Sequence, residues 1–241
     1  IARGYNQGGF NLNLGLDSNS KNSNLYYDPE FLTNYEIGLN SKIEELNLNL
    51  AAVIFLSDRK DQQVLISTQV DPNDPNTFTF LTQNAAEGTN NGIELEMDFQ
   101  LSENLDMFLN FGLLKTEIKS WKSRPEIEGR AQAHAPEKSY AIGLNWYPSE
   151  QSSLSFDIVG KSSFYYSDSH DNKSKSYFLT NINYSYFHGQ WTYSIWGRNI
   201  FDKYYSTRGF YFGNEAPNFI DTLYERHGDP RHLGVTVRYD F

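Results

Sequence analysis

Hydrophobic and polar positions alternate along most of this 241-residue chain. The last ten residues do so without a miss: Leu233, Val235, Val237, Tyr239 and Phe241 share one side, and His232, Gly234, Thr236, Arg238 and Asp240 the other. A side-chain period of two belongs to a strand with one apolar and one polar face. The same period recurs in Leu46, Leu48, Leu50, Ala52, Ile54 and Leu56, in Ile93, Leu95, Met97, Phe99 and Leu101, and in Leu105, Met107, Leu109, Phe111 and Leu113. No convincing helical period competes with it. The pattern predicts strands A 32–43, B 46–69, C 77–100, D 105–120, E 134–147, F 152–166, G 175–187, H 190–199 and I 230–241.

An apolar stripe that runs to a final aromatic is common in outer-membrane β-barrels, where strands show lipid on one face and water or polar protein on the other. Composition narrows this further. Mean hydropathy is −0.61, and no run approaches the ~18 apolar residues that a membrane helix needs. Aromatics reach 16%, which suits both a membrane barrel and a soluble all-β protein. The connections separate the two. Glu44-Glu45, Ser102-Glu103-Asn104, Pro148-Ser149-Glu150-Gln151 and His188-Gly189 are tight turns, and they alternate with longer links at 70–76, 121–133, 167–174 and 200–229. Short turns at one end and long loops at the other are the asymmetry of an outer-membrane barrel, periplasmic and extracellular respectively. That predicts an all-β, antiparallel transmembrane β-barrel with Phe241 on the periplasmic side. Strands B and C exceed a bilayer crossing of ~9–11 residues, so they should project as a hairpin tipped by Asp71-Pro72-Asn73-Asp74-Pro75-Asn76.

Nine strands is an odd number with two bare edges. Residues 1–31 read as a strand end, Ile1–Tyr5, followed by a Gly-, Asn- and Ser-rich extracellular loop. The simplest account is that residues 1–241 are the C-terminal part of a larger barrel, cut at Ile1 and ending truly at Phe241.

Several segments then carry a resemblance: Ala2-Arg3-Gly4-Tyr5-Asn6-Gln7-Gly8-Gly9-Phe10-Asn11; Pro29-Glu30 followed by Asn34-Tyr35-Glu36-Ile37-Gly38-Leu39; Asn91-Gly92-Ile93-Glu94-Leu95-Glu96; Ala135-Pro136-Glu137; Gly197-Arg198-Asn199-Ile200-Phe201-Asp202-Lys203-Tyr204-Tyr205; and Gly228-Asp229-Pro230-Arg231. In order and spacing these resemble the C-terminal part of TonB-dependent outer-membrane receptors, with a siderophore-receptor flavour in the first segment. The resemblance implies a roughly 22-stranded barrel filled by an N-terminal plug, of which this chain holds the last nine strands and no plug. It implies import of a scarce chelated nutrient, most readily a ferric siderophore, energised by TonB acting on the plug.

The resemblance also assigns residues. Glu36 and Glu94 match barrel-wall glutamates that pair with plug arginines, and Glu96 shares their face. A carboxylate buried between plug and wall needs a cationic partner, whereas in a wet lumen it is simply solvated. On the long loops, Trp121, Lys122, Arg124 and Arg130, then Tyr165, Tyr166 and His170, then Arg208, Phe210, Tyr211, Phe212 and Arg226 combine cations with aromatic faces. That mixture suits an anionic, partly apolar ligand. The alternative assignment is aromatic girdle plus arginines on membrane lipid and lipopolysaccharide phosphate. Val237, Tyr239 and Phe241 form the terminal segment that the barrel-assembly machinery reads in outer-membrane proteins generally.

Other chemistry finds little support. A net charge of −10 argues against nucleic acid. Cysteine is absent, which is compatible with an oxidising compartment. His134, His170, His188, His227 and His232 have no metal-ligand spacing, no Gly-x-Ser-x-Gly occurs, and Gly8-Gly9 precedes no helix, so neither an enzyme nor a cofactor is expected. Three functions remain: active importer, passive porin or structural barrel, and soluble all-β binding module.

Overall fold

A computed structural model describes residues 1–11, 25–69, 78–122, 124–168, 170–213 and 215–241, with only the backbone at 66–69, 78–79 and 212. Its strands in chain order are β1 (Ala2–Asn6), β2 (Gly9–Phe10), β3 (Tyr26–Tyr27), β4 (Glu30–Ile43), β5 (Leu48–Gln69), β6 (Phe78–Ser102) and β7 (Leu105–Trp121). They continue as β8 (Lys138–Ser149), β9 (Ser152–Lys161), β10 (Tyr177–His188), β11 (Trp191–Arg198), β12 (Ser206–Phe212), β13 (Thr222–His227) and β14 (His232–Tyr239). Ten of them form one antiparallel sheet in the order β1-β4-β5-β6-β7-β8-β9-β10-β11-β14. Each predicted strand A–I has a counterpart there, and the strand end at Ile1–Tyr5 supplies the tenth.

The register explains how the alternation is used. Ile37, Ile54, Ile93 and Leu113 stand opposite one another on β4 to β7, and Gly197–Leu233, Ile195–Val235 and Tyr193–Val237 continue the same face on β11 and β14. The apolar belt does not follow one register row. It drifts toward the short-turn end from β5 to β14, as expected for strands inclined to a barrel axis. The belt has no protein cover: Ile37 is 74% exposed, Leu233 73% and Val235 70%. So large an apolar face needs hydrocarbon against it.

The other face is polar and holds its bulky groups flat. Phe108 lies opposite Gly143 and Trp196 opposite Gly234, and a Cβ at either glycine would overlap the ring. The small buried core is elsewhere, at the long-loop end. There Ala85, Ala86, Ile118, Trp121 and Ile127 pack together, with Val64 against them.

The end asymmetry is as expected, with four refinements. The turn at Glu44-Glu45 is a single 3-10 turn, Glu44–Leu46, released by Asn47 at φ 48°. Strand F stops at Lys161, so Tyr165 and Tyr166 lie in the following loop. Strand E begins at Lys138, because the N–H of Gln132 bonds the Thr116 hydroxyl and that of His134 the Tyr165 carbonyl instead of entering a strand ladder. The link 200–229 is not all loop: it contains the β12–β13 hairpin, registered Phe210–Tyr224. The Asp71–Asn76 tip and much of the Gly/Asn/Ser-rich stretch, residues 12–24, lie outside the described residues.

Candidate functional site

On the polar face the predicted acids cluster on β4 and β6. Asn34 Nδ2 donates to Glu36 Oε2 at 2.8 Å, and Ser57 Oγ holds Asn34 by donating to its Oδ1 at 2.7 Å. Glu94 lies one row away, opposite Val53 and Gly112. Glu36, Glu94 and Phe55 line one concavity of about 530 Å³. Glu94 also borders a smaller one of about 240 Å³ with His134 and Ser139. Glu96 sits a row further toward the short turns, opposite Asn110. Among the described residues, none of these three carboxylates is in an ion pair.

At the long-loop end, three segments lock together through ionised groups. Arg130 is the hub, with its side chain only 9% exposed. Its Nη1 donates to Asp171 Oδ1 at 2.7 Å and to the His170 carbonyl at 3.0 Å, and its Nη2 donates to the Ser167 carbonyl at 3.0 Å. Its guanidinium stacks on Tyr165 at 4.4 Å, and Lys173 covers the same ring at 4.1 Å. Arg124 Nη1 donates to the Asp168 carbonyl. The backbone N–H of Ala133 donates to Asp168 Oδ1, and that of His134 to the Tyr165 carbonyl. These bonds join residues 122–137 to 162–176. Trp121 anchors the first segment: it is 2% exposed, and its N–H donates to Glu128 Oε1.

The second segment is tied in turn to the β12–β13 hairpin. Tyr166 donates its hydroxyl to Glu225 and lays its ring on Gly209, while His170 packs 5.3 Å from the Tyr211 ring. Burial, then the hydrogen bond to Glu225, pushes Tyr166 up to about 12. The same bond holds Glu225 below the ordinary carboxylate range. Burial, with Arg130 nearby, holds His170 below the ordinary histidine value. Arg208 stacks on Phe210 at 4.7 Å and stands opposite Arg226; both arginines are exposed.

Of the predicted loop residues, then, Trp121, Arg124, Arg130, Tyr165 and Tyr166 are engaged with the protein itself, whereas Arg208, Tyr211 and Arg226 present groups to solvent. Asp168, Asp171 and Glu225 went unrecognised in the sequence because their partners lie far along the chain.

A second tie, also unforeseen, is built from amides. Gln63 Nε2 donates to the carbonyls of Gln7 (2.9 Å) and Asp28 (3.0 Å), and Gln63 Oε1 accepts from Asn6 Nδ2. Asn84 Nδ2 donates to the Asp28 and Asp61 carbonyls, and its Oδ1 accepts from the Asp28 N–H. Asn11 mimics a strand neighbour, exchanging two 2.8 Å bonds with the backbone of Thr82. Together these pin residues 6–11 and 28 to the projecting β5–β6 hairpin, above the Arg59–Glu30 ion pair at 2.5 Å. At the opposite end of the sheet, the Tyr239 ring packs at a tilt against Trp191 (4.8 Å) and edge-on against Phe241 (5.1 Å), and its hydroxyl donates to Gln190 Oε1, while Val237 lies opposite Tyr193.

Comparison with known proteins places this architecture. The chain is similar to the ferric yersiniabactin uptake receptor FyuA from Yersinia pestis, at 17% identity and a TM-score of 0.76, over 100% of this chain and 34% of that one. It is similar to the siderophore receptor PiuA from Acinetobacter baumannii (18% identity, TM-score 0.68, 89% of this chain and 29% of that one). It also resembles the copper transporter OprC (16%, 0.68, 89% and 32%). At these identities the likeness is one of fold, and the chain spans about a third of the length of each structure. A model of the family described as TonB dependent receptor-like, beta-barrel matches residues 1–200. With its uncovered apolar belt, alternating turns and loops, and polar inner face, the chain belongs to that family of transport receptors, which are not enzymes, and it is an outer-membrane β-barrel.

Proposed function

We propose that this chain forms the C-terminal arc, residues 1–241, of an outer-membrane receptor that imports a chelated metal nutrient, most readily a ferric siderophore, with energy delivered by TonB through an N-terminal plug. The observation that carries the reading is the polar wall. Glu36 and Glu94 border one concavity around Phe55, and no described cation pairs with them. A barrel wall with oriented, unpaired carboxylates suits a lumen occupied by a cationic protein surface better than an open pore. Glu36, Glu94 and Glu96 are assigned to plug contact.

The long loops face outside, and Arg208, Tyr211 and Arg226 are assigned to ligand contact, since they combine exposed cations with an aromatic face. Trp121, Arg124, Arg130, Tyr165 and Tyr166 hold the loop platform beneath them. Val237, Tyr239 and Phe241 face the short-turn end, where the assembly machinery would read them. The likeness to receptors described as taking ferric siderophores and as a copper transporter supports a metal-linked cargo.

The test uses cells carrying the intact receptor. Uptake of radiolabelled ferric siderophore should require both TonB and the proton-motive force, and Glu36→Gln with Glu94→Gln should raise the leak of large antibiotics. Uptake that persists without TonB would instead assign a passive pore.

A further inference from the structure

The β12–β13 hairpin has two unlike faces, because registered partners share a side and successive residues alternate. One face rests on the loop platform. There Gly209 stands opposite Glu225 and Tyr211 opposite Leu223, with Tyr166 against Gly209 and Glu225 and His170 against Tyr211. The other face is turned away from the platform. It carries two cross-strand pairs in succession, Arg208 opposite Arg226 and Phe210 opposite Tyr224. A bulge produces the first pair. Ser206 stands opposite His227, and the two steps from Ser206 to Arg208 are matched by the single step from His227 to Arg226. Without the extra residue, Thr207 would stand opposite Arg226, and Arg208 would face the platform. The Thr207 hydroxyl fastens the bulge by donating to the Arg226 carbonyl at 3.2 Å.

Like charges directly opposite destabilise a ladder, since their Cβ atoms lie about 4.5–5.5 Å apart. Both arginines are exposed, and among the described residues neither is in an ion pair. The acids of the hairpin are engaged elsewhere. Glu225 is on the platform face, bonded to Tyr166, and the cations that act on it are His227 and Lys175. Glu215 accepts the Tyr224 hydroxyl. Asp221 lies beyond the Phe212–Thr222 rung, which is about 13 Å along the hairpin from the arginines. Arg208 is held on its face by Phe210, with the guanidinium 4.7 Å from the ring. Two planar forks thus stand side by side next to an aromatic pair, an arrangement that two cations alone do not favour. An anionic group between them removes the repulsion and accepts charged hydrogen bonds from both.

We propose that Arg208 and Arg226 form a two-pronged subsite for anionic oxygens of the cargo, so that the receptor takes metal chelates of net negative charge in preference to neutral ones. Phe210 and Tyr224 supply the apolar side of the subsite, against which a ring or chain of the chelate packs. Carboxylate and phenolate oxygens match the guanidinium forks in geometry as well as charge. The bulge at Thr207 gains a purpose in these terms: it gives up a regular ladder to bring the second guanidinium to the pair. This deepens the transport reading and rests on it.

The test is calorimetric binding of defined iron(III) chelates to the intact purified receptor: the anionic citrate and tris-catecholate complexes, and a neutral trihydroxamate complex. An anionic complex should bind, and more tightly than the neutral one. Arg208→Gln and Arg226→Gln should each weaken that binding about tenfold or more, the weight of a hydrogen bond to a charged group. Hydrogen exchange gives a second readout. With no chelate present, either substitution should slow exchange in β12–β13, because it removes the repulsion, whereas losing an arginine that merely braces the hairpin would speed it. Preference for the neutral complex would overturn the proposal and leave the transport reading standing. Unchanged affinity in both variants, or faster exchange in them, would also overturn it. Binding of none of the three complexes would take the transport reading down with it.

Discussion

Two loop platforms crown the same sheet, and they are held by opposite chemistry. Over β1 to β6 the ties are mainly neutral amides, Gln63, Asn84 and Asn11 bonding backbone carbonyls and N–H groups, with the Arg59–Glu30 ion pair beneath them. Over β7 to β13 they are ionised or ionisable: Arg130 on Asp168 and Asp171, Tyr166 on Glu225, and His170 beside Arg130 and Tyr211. Amide bonds hold their strength across pH and salt. Charged bonds are individually stronger but depend on protonation state and screening. The amide ties of the first platform should therefore change little with the medium, and the second platform should respond to it.

The largest effect should come from Arg130→Met. It removes three charge-assisted bonds and the cover of Tyr165 at once, and should lower the opening free energy of residues 122–137 and 162–176 by about 3 kcal/mol. Hydrogen exchange of the receptor reads this directly, and protection over β1 to β6 should not move. Protection lost equally on both sides would mean that the platforms are one unit.

Acid should come next. Glu225 has a lowered folded pKa, so its stabilisation is complete above the ordinary value of 4.5 and is lost as pH falls through the folded value. His170 is lowered from 6.5, so the folded platform prefers it neutral, and stabilisation is lost below that value as protonation puts a second positive charge beside Arg130. Between pH 7.5 and 4, exchange corrected for its intrinsic rate should rise over residues 162–176 and β12–β13 but stay flat over residues 6–11. At the alkaline end Tyr166, raised to about 12, keeps its stabilisation below its ordinary value of 10 and loses it as pH climbs through 12.

Gln63→Ala should cost about 1–2 kcal/mol of local protection around residues 6–11 and 28, equally at both pH values. The smallest effect should be that of Arg124→Gln, about 1 kcal/mol or less, because its partner is one carbonyl and a largely exposed Glu126. A larger loss would move the hub from Arg130 to Arg124.

What could be read beforehand follows from where the information lies. Leu233 to Phe241 and Leu48 to Leu56 declare their strands because alternation is local, and turn length alone gave the end asymmetry. The β12–β13 hairpin was hidden because Ser206–Phe212 and Thr222–His227 alternate poorly and nine intervening residues separate them. Tyr165 and Tyr166 look like strand residues by type, but Lys138 ends its pairing with Ser162, and both tyrosines turn into the loop platform. Tyr166 and Glu225 are 59 positions apart, so no local pattern could have joined them. Nor does any motif mark Gln63 or Asn84, since a side-chain amide bonding a remote carbonyl leaves no trace in composition.

The flat aromatic rings on the polar wall have a consequence for what can pack against it. Phe108 and Trp196 lie over Gly143 and Gly234, so their bulk thickens the wall instead of narrowing the bore. A methyl group at either glycine would tip its ring toward the barrel axis. Clearance at these rows is thus set by the absence of a side chain on the neighbouring strand, and an alanine there would push a ring into the space that a lumenal domain would occupy.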